Sequence, residues 1–527
     1  MRALPRLILI VRSGILAAAI TLAAVSVFGQ TSSPQALRDV DALLQARRYD
    51  EAIRTVSAAL SAAPRDAALL NARGVIFANT NQAARARQDF EAAVRLAPAM
   101  TEAWQNLARL CQNAPGLERA PACAANAWRN VLRLNTQDPE ARFSLAAVYA
   151  REKKYQESIQ ELDLLPAGEI SRPGALVLRC ANLAALGRTR GAGEAARRAV
   201  ESREFSRPDV AWLLPRLTSP AEAPLVVTFV EALAARRAAA NDDLRRLVPA
   251  YETMGRWKDA RATLEVLAAA EPRNPDHLYE LAHVAYVQHD LEGALGYLGH
   301  TRDLVPGEAR VHFLFGLILV ELNLPPEARK SLEKAVELAP DNADYRYALG
   351  SVILRARDPS PAVDCFRRYV EARPGDARGE FALGLAYFLT GNYEESGARM
   401  RRVKDNPATR AGALYFLGRI ARSDGDLETA AADFEESIRT QPAFAQGYAE
   451  LARVRLEQRR QADAEKALAR ALEIDPDNLQ ANSTLLALYQ RTHDPRAEKQ
   501  SARVKALDEQ RGKEQEMMLR GVEVKPY

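Results

Sequence analysis

The sequence is poor in the residues that usually carry chemistry. It holds six His and four Cys in 527 residues, and aromatics make up only 6% of it. None of the four cysteines, Cys111, Cys123, Cys180 and Cys365, forms a CxxC pair, which removes the usual sequence support for a zinc site, haem attachment or thioredoxin-like exchange. Walker A loops, GxSxG elbows and HExxH pairs are also missing. Charge of one sign is not accumulated either: 72 Lys and Arg stand against 68 Asp and Glu, a net of +4. Nucleic-acid binding draws on summed phosphate contacts, and this balance provides no general pull of that kind. Beyond residue 28 no apolar run approaches the roughly 20 residues of a spanning helix. The longest candidate, Phe313 to Val320, is bracketed by His312 and Glu321 and reads as a buried helix face.

The first thirty residues differ from the rest. Arg2, Arg6 and Arg12 precede an uncharged apolar run from Ile15 to Phe28. That is the layout of a secretory signal peptide over residues 1–29, with cleavage expected after Gly29, and the run is shorter than a membrane anchor needs. Its removal takes away three Arg and no acid, so the net charge falls from +4 to +1. The mature chain is then expected in the periplasm or outside the cell. In such a compartment Cys111 and Cys123, separated by a Pro-bearing insertion (Pro115, Pro121) that reads as the turn between two antiparallel helices, are a candidate disulfide. Cys180 and Cys365 lie far apart in the chain and read as small buried residues.

The remainder is organised by a period. Hydrophobic residues at 48% exclude a disordered chain, yet the length exceeds what one compact core usually serves. Ala260, Ala294, Ala328, Ala362, Ala430 and Ala464, with Ser396 in the one gap, recur at steps of 34 residues. Pro272, Pro306, Pro340, Pro374, Pro442 and Pro476 keep the same register, as do Ala282, Gly316, Gly350, Gly384, Gly418 and Ala452. Seven units fit from Asn241 to Asn478. Each reads as two helices. In the first, an apolar residue precedes the small one, which lets a partner helix approach. In the second, the recurring Ala is followed four positions on by a large apolar residue (Leu264, Leu298, Leu332, Phe366, Met400, Phe434, Leu468), so both lie on one face. The helix ends near the Pro, which cannot donate to the ladder.

The Leu-Gly pair, the Ala with its large neighbour four on, and the closing Pro resemble the tetratricopeptide repeat (TPR). The Trp of that pattern stands at Trp104. The resemblance implies an all-α, right-handed α-solenoid of stacked helix-turn-helix units. N-terminal repeats are expected over 33–172, with the cysteine insertion in the unit opening at Thr101. Residues 173–240, interrupted by Pro208, Pro215, Pro220 and Pro224, are expected to form two divergent helical pairs. They are either ordinary degenerate repeats or a bend. The seven regular repeats of 241–478 are followed over 479–527 by a final repeat, a charged capping helix and a tail, because a terminal unit needs a polar outer face.

Two apparent sites fail on context. Gly191-Ala192-Gly193-Glu194-Ala195-Ala196 fits a dinucleotide fingerprint but follows a helical pattern instead of a strand. His277, His283, His289, His300 and His312 cluster, but steps of six put successive rings on different helix faces. No catalytic, cofactor or metal residues are therefore assigned. One column does recur: Tyr279, Phe313, Tyr347, Phe381 and Tyr415. By similarity to the family, these residues and those four positions on (His283, Leu317, Ser351, Leu385, Arg419), with Tyr286 and Phe388, line a concave groove that would hold protein or peptide segments. The alternative is that the rings pack against the neighbouring unit. The resulting expectation is a non-enzymatic exported scaffold or adaptor, with no nucleic-acid partner. The alternative is a non-catalytic subunit of an envelope export or maturation enzyme system.

Overall fold

The computed structural model describes residues 34–520, apart from Pro115, Arg119 and Arg357, with side chains described to residue 510. The expected signal peptide and the tail from Gly521 lie outside the described residues. Among those residues every regular element is a helix. The chain divides into two compact units, meeting between His277 and Leu278.

The first unit opens with four helical hairpins: α1 (Pro34–Gln45) with α2 (Tyr49–Ala62), α3 (Ala67–Asn79) with α4 (Ala83–Leu96), α5 (Thr101–Asn113) with α6 (Ala120–Leu134), and α7 (Pro139–Arg151) with α8 (Tyr155–Asp163). The Cys111–Cys123 disulfide is formed and staples α5 to α6, with Cα atoms 5.9 Å apart. Cys180 and Cys365 are free, the first buried and the second half-buried. After the short α9 (Ala167–Ile170), α10 (Pro173–Ala185) pairs with α11 (Thr189–Glu201). The fingerprint-like glycines lie inside α11. The second divergent pair departs from expectation. Its first member is only the single turn α12 (Arg207–Val210) and two 3-10 turns at Leu214–Arg216 and Pro220–Glu222, before the full helix α13 (Ala223–Ala235). Pro208, Pro215 and Pro220 each sit in the first turn of one of these pieces. They fit a helix start but cannot donate within a continuing helix. The unit ends with α14 (Asn241–Thr253) and α15 (Trp257–Ala270).

The division between units falls inside α16 (Pro275–Val287). The second unit continues with α17 (Leu291–Leu304), α18 (Ala309–Glu321), α19 (Pro325–Leu338), α20 (Ala343–Arg355), α21 (Pro359–Ala372), α22 (Ala377–Leu389) and α23 (Tyr393–Val403). It then runs through α24 (Arg410–Ser423), α25 (Leu427–Thr440), α26 (Ala445–Glu457), α27 (Gln461–Ile474), α28 (Leu479–Arg491) and the long α29 (Ala497–Arg520).

Local chemistry sets these boundaries. Several first helices open on side-chain caps: Asp66 accepts from the Ala68 and Leu69 amides at 2.9 and 3.2 Å, and Asn342 from Asp344 and Tyr345 at 3.0 and 3.3 Å. Such a cap is worth about 1 kcal/mol. Second helices stop one residue before Pro, where the pre-proline residue is forced out of the helical region: Glu271, Val305, Ala339, Arg373, Gln441 and Asp475 all have φ between −131° and −139°. The unit whose proline stands one place early, Pro407, has the shorter α23, and Thr409 Oγ1 donates to the Val403 carbonyl at 2.8 Å to close its end. Most of the described hairpin turns carry a left-handed residue. Gly391 and Gly425 fill that place without a Cβ penalty, but Arg47, Lys153, His289, Arg459 and His493 fill it as well.

The periodic positions form the core. Ala260, Ala294, Ala328, Ala362, Ser396, Ala430 and Ala464 are fully buried, and so are the large apolar residues four positions on. Burying each such Leu or Phe contributes about 1.5–3 kcal/mol. The small residue of the first helix lies beneath that side chain. A Cβ added at Gly316 would stand 2.6 Å from Leu332 Cγ, and one at Gly350 2.9 Å from Phe366 Cζ. The position of the family's Trp also has a defined task. Trp104 Nε1 donates to the Pro98 carbonyl at 2.9 Å, His312 Nε2 to Pro306 at 3.0 Å, Arg346 Nε to Pro340 at 2.9 Å and Asn482 Nδ2 to Pro476 at 3.0 Å. Each ties a first helix to the carbonyl of the proline that closes the preceding turn.

Candidate partner-binding face

In the second unit the aromatic column runs along successive first helices, and its rings pack on the second helix of their own repeat or on the following repeat. The Arg310 guanidinium lies 4.5 Å from the centroid of Tyr279, and Phe313 stacks on Tyr345 at 4.5 Å. Tyr347 meets Phe366 edge-on at 5.4 Å and Tyr369 at 5.0 Å, under Arg378 at 4.5 Å. Phe381 packs on Phe416 and fills the space where a Cβ at Gly412 would stand, 2.8 Å from its Cζ. Tyr415, only 9% exposed, touches Phe416, Phe434 and Phe444. These rings therefore contribute to packing between repeats. Burial pushes the hydroxyls of Tyr279, Tyr347 and Tyr415 above their usual range, partly opposed by Arg310, Arg378 and Arg419, so all three stay protonated near neutrality.

The residues one turn on share the partial exposure of most of these rings. His283, Leu317, Ser351, Leu385 and Arg419 are all half-buried. Burial holds the His283 imidazole below its ordinary pKa, with Glu280 opposing, so it presents a neutral ring. Ser351 turns its hydroxyl back to the Tyr347 carbonyl at 2.9 Å. Tyr286 donates to Glu321 at 2.7 Å, and Phe388 is buried against Tyr393 and Phe416 with Arg419 4.6 Å from its centroid.

The histidine cluster separates into unrelated roles. His277 is buried with Glu271 and Asn274 each 3.2 Å from its Nε2, His289 occupies a left-handed turn, and His300 is exposed. Among the described residues no group of three or more His, Cys, Asp or Glu could hold a metal ion, and no helix is long and apolar enough to cross a membrane.

The charged end of this face was not anticipated. Glu450, 3% exposed, receives Arg422 at 3.0 Å, Arg453 at 3.5 Å and Arg419 at 3.8 Å. Arg422 also lies 3.9 Å from Glu457, so three guanidinium groups face two carboxylates and one positive charge stays uncompensated. Beside it, α26 and α28 enclose an open concavity of about 650 Å³ whose lining includes Arg453, Arg459, Arg491, Gln480 and Glu457. The available signal was Arg419 and Arg453, one period apart in the sequence. Convergence on Glu450 depends on contacts some thirty residues away along the chain.

Comparison with known proteins agrees with this architecture. The sequence profile of the tetratricopeptide repeat matches residues 37–101, 121–171, 245–304, 313–377, 354–411 and 415–478, together more than half of the chain. No curated protein sequence matches. Among solved structures the chain is similar to YrrB, a TPR protein with an unusual peptide-binding site, at 22% identity over 35% of this chain and 95% of that one, with a TM-score of 0.33. It is also similar to PilF of Pseudomonas aeruginosa, at 21% over 38% and 91% with a TM-score of 0.34. A third is PilW, a type IV pilus biogenesis factor, at 16% over 40% and 98% with a TM-score of 0.36. The 34-residue spacing, the small residue (Gly or Ala) beneath the large apolar one and this repeated profile match place the chain in the tetratricopeptide repeat family.

Proposed function

We propose that the chain is an exported scaffold or adaptor that holds segments of other proteins along the first-helix face of its second unit, without catalysing a reaction itself. The observation that carries this reading is the row His283, Leu317, Ser351, Leu385 and Arg419. These half-buried side chains recur in register on five successive first helices, each one turn beyond a ring held by packing within or between repeats. A periodic row of this kind, mixed in polarity and backed by rigid packing, suits a long segment read a few residues at a time. Export is supported by the Arg-led apolar stretch at the N-terminus and by the Cys111–Cys123 disulfide, since such bonds persist in oxidising compartments.

The test is site-specific photo-cross-linking in the producing cell. A photoreactive residue at Leu317 or Leu385 should give adducts that the same residue at Glu333 or Arg367, exposed on second helices, does not. Adducts confined to the second-helix positions, or equal at all four, would overturn the assignment.

A further inference from the structure

Resting on that reading of the first-helix face, we infer that its C-terminal end is an anion-binding site for acidic peptide segments, centred on Arg453, Arg459 and Arg491. Three independent features point there. First, Arg419, Arg422, Arg453, Arg459 and Arg491 stand against Glu450 and Glu457 alone in the hub and the adjoining concavity, and Glu450 is already saturated by three of the arginines. Second, Arg459 and Arg491 are exposed and have no ion-pair or hydrogen-bond partner among the described residues, unlike most arginines of the second unit. Third, Gln480 lines the same concavity, and its side-chain Nε2 is shielded from solvent and has no hydrogen-bond partner among the described residues. A donor without an acceptor is costly, and a carboxylate or peptide carbonyl lying between α26 and α28 would supply one.

The lining also selects among anions. Guanidinium forks match carboxylates in a bidentate manner, and Ser483 can serve the backbone of an extended segment. Glu457 sits in the same wall and would repel a densely charged phosphate chain, and no aromatic ring lines the concavity to stack a base. Carboxylates spaced along a peptide can meet the arginines and avoid Glu457.

The test uses the full mature chain and a short fluorescein-labelled peptide of alternating Glu and Ser, followed by fluorescence anisotropy. A Lys-and-Ser peptide and a labelled oligothymidylate serve as comparisons. The acidic peptide should bind, weaken as ionic strength rises from about 0.05 to about 0.5 M, and lose about tenfold in affinity in the R459Q/R491Q variant. Because neither arginine has a partner in the fold, that variant should keep the parental helical circular dichroism. Equal binding of the variant, no binding of the acidic peptide, or tighter binding of the oligothymidylate would each overturn the inference. If the acidic peptide fails while Leu317 and Leu385 still cross-link, this site alone is refuted. If those cross-links are absent, the broader reading fails as well.

Discussion

Two serines at one repeat position provide a matched pair. Ser158 and Ser396 both stand where the other units have the small buried Ala of the second helix, and both are fully buried. Ser158 donates to the Ala146 carbonyl at 2.7 Å and accepts from the Asn182 amide at 2.8 Å. The Ser396 hydroxyl has no partner among the described residues. Ser158→Ala removes one bond of about 1 kcal/mol and orphans a buried Asn donor, for a loss of about 2–3 kcal/mol. Ser396→Ala removes a buried unsatisfied group and improves helix propensity, for a gain of about 1–2 kcal/mol. Repeat arrays open locally, so a single melting temperature is a poor readout. Amide hydrogen exchange of the α7–α8 and α22–α23 segments reports each unit separately. At about 1.4 kcal/mol per decade, α22–α23 exchange should slow about tenfold in Ser396→Ala. Exchange in α7–α8 should accelerate by about thirtyfold or more in Ser158→Ala. A Ser396→Ala variant that exchanges faster would show that its hydroxyl is bonded in solution, and the reasoning would fail.

Further outcomes follow from other elements. Burial, only partly offset by Lys404, pushes the Asp433 carboxyl up from 3.8 to about 6. Its folded-state pKa is therefore above the unfolded one, and the stability it contributes is present below about pH 4 and lost as pH rises through about 6. Asp433→Asn should then be the more stable protein at pH 7 in urea titrations, with the difference disappearing at pH 4. Reducing the Cys111–Cys123 bond, which spans 12 residues, should cost about 3 kcal/mol by the loop-entropy argument. Faster proteolysis between α5 and α6, with the second unit unaffected, would register it. Lys153 holds a φ of 62°, so Lys153→Gly should slow exchange at the α7–α8 turn by a gain of about 0.5–1 kcal/mol. Replacing Gly316 by Ala should instead speed exchange in α18 and α19, because its Cβ would press within 2.6 Å of Leu332, at a cost of about 1–3 kcal/mol.

The architecture was legible because it is written in short-range chemistry. The alternation of Gly316, Ala328 and Leu332, repeated every 34 residues, marks two faces that must meet, and the pre-proline rule marks where each second helix stops. The hairpin turns were only half legible. Gly391 announces a left-handed residue, whereas Arg459 and His289 adopt the same backbone with nothing in their identity to show it. The stretch with Pro208, Pro215 and Pro220 was visible as irregular, but not as a helix reduced to single turns. The face was least legible. Spacing alone left the aromatic column between partner contact and packing, and only the third dimension shows Tyr347 wedged between Phe366, Tyr369 and Arg378. The gathering of Arg419, Arg422 and Arg453 on Glu450 joins adjacent repeats, beyond the reach of any local pattern.

The joint at the family's tryptophan position has a practical consequence. Indole, imidazole, guanidinium and amide all perform it here, while Leu278 and Glu380 hold the same position without it, so the joint where it is made asks for a nitrogen-bound proton of suitable reach and not an aromatic ring. A search keyed to tryptophan would therefore pass over most units of such an array, and anyone splicing extra units into it could choose that residue for solubility or charge, keeping a nitrogen-bound proton where the joint is wanted.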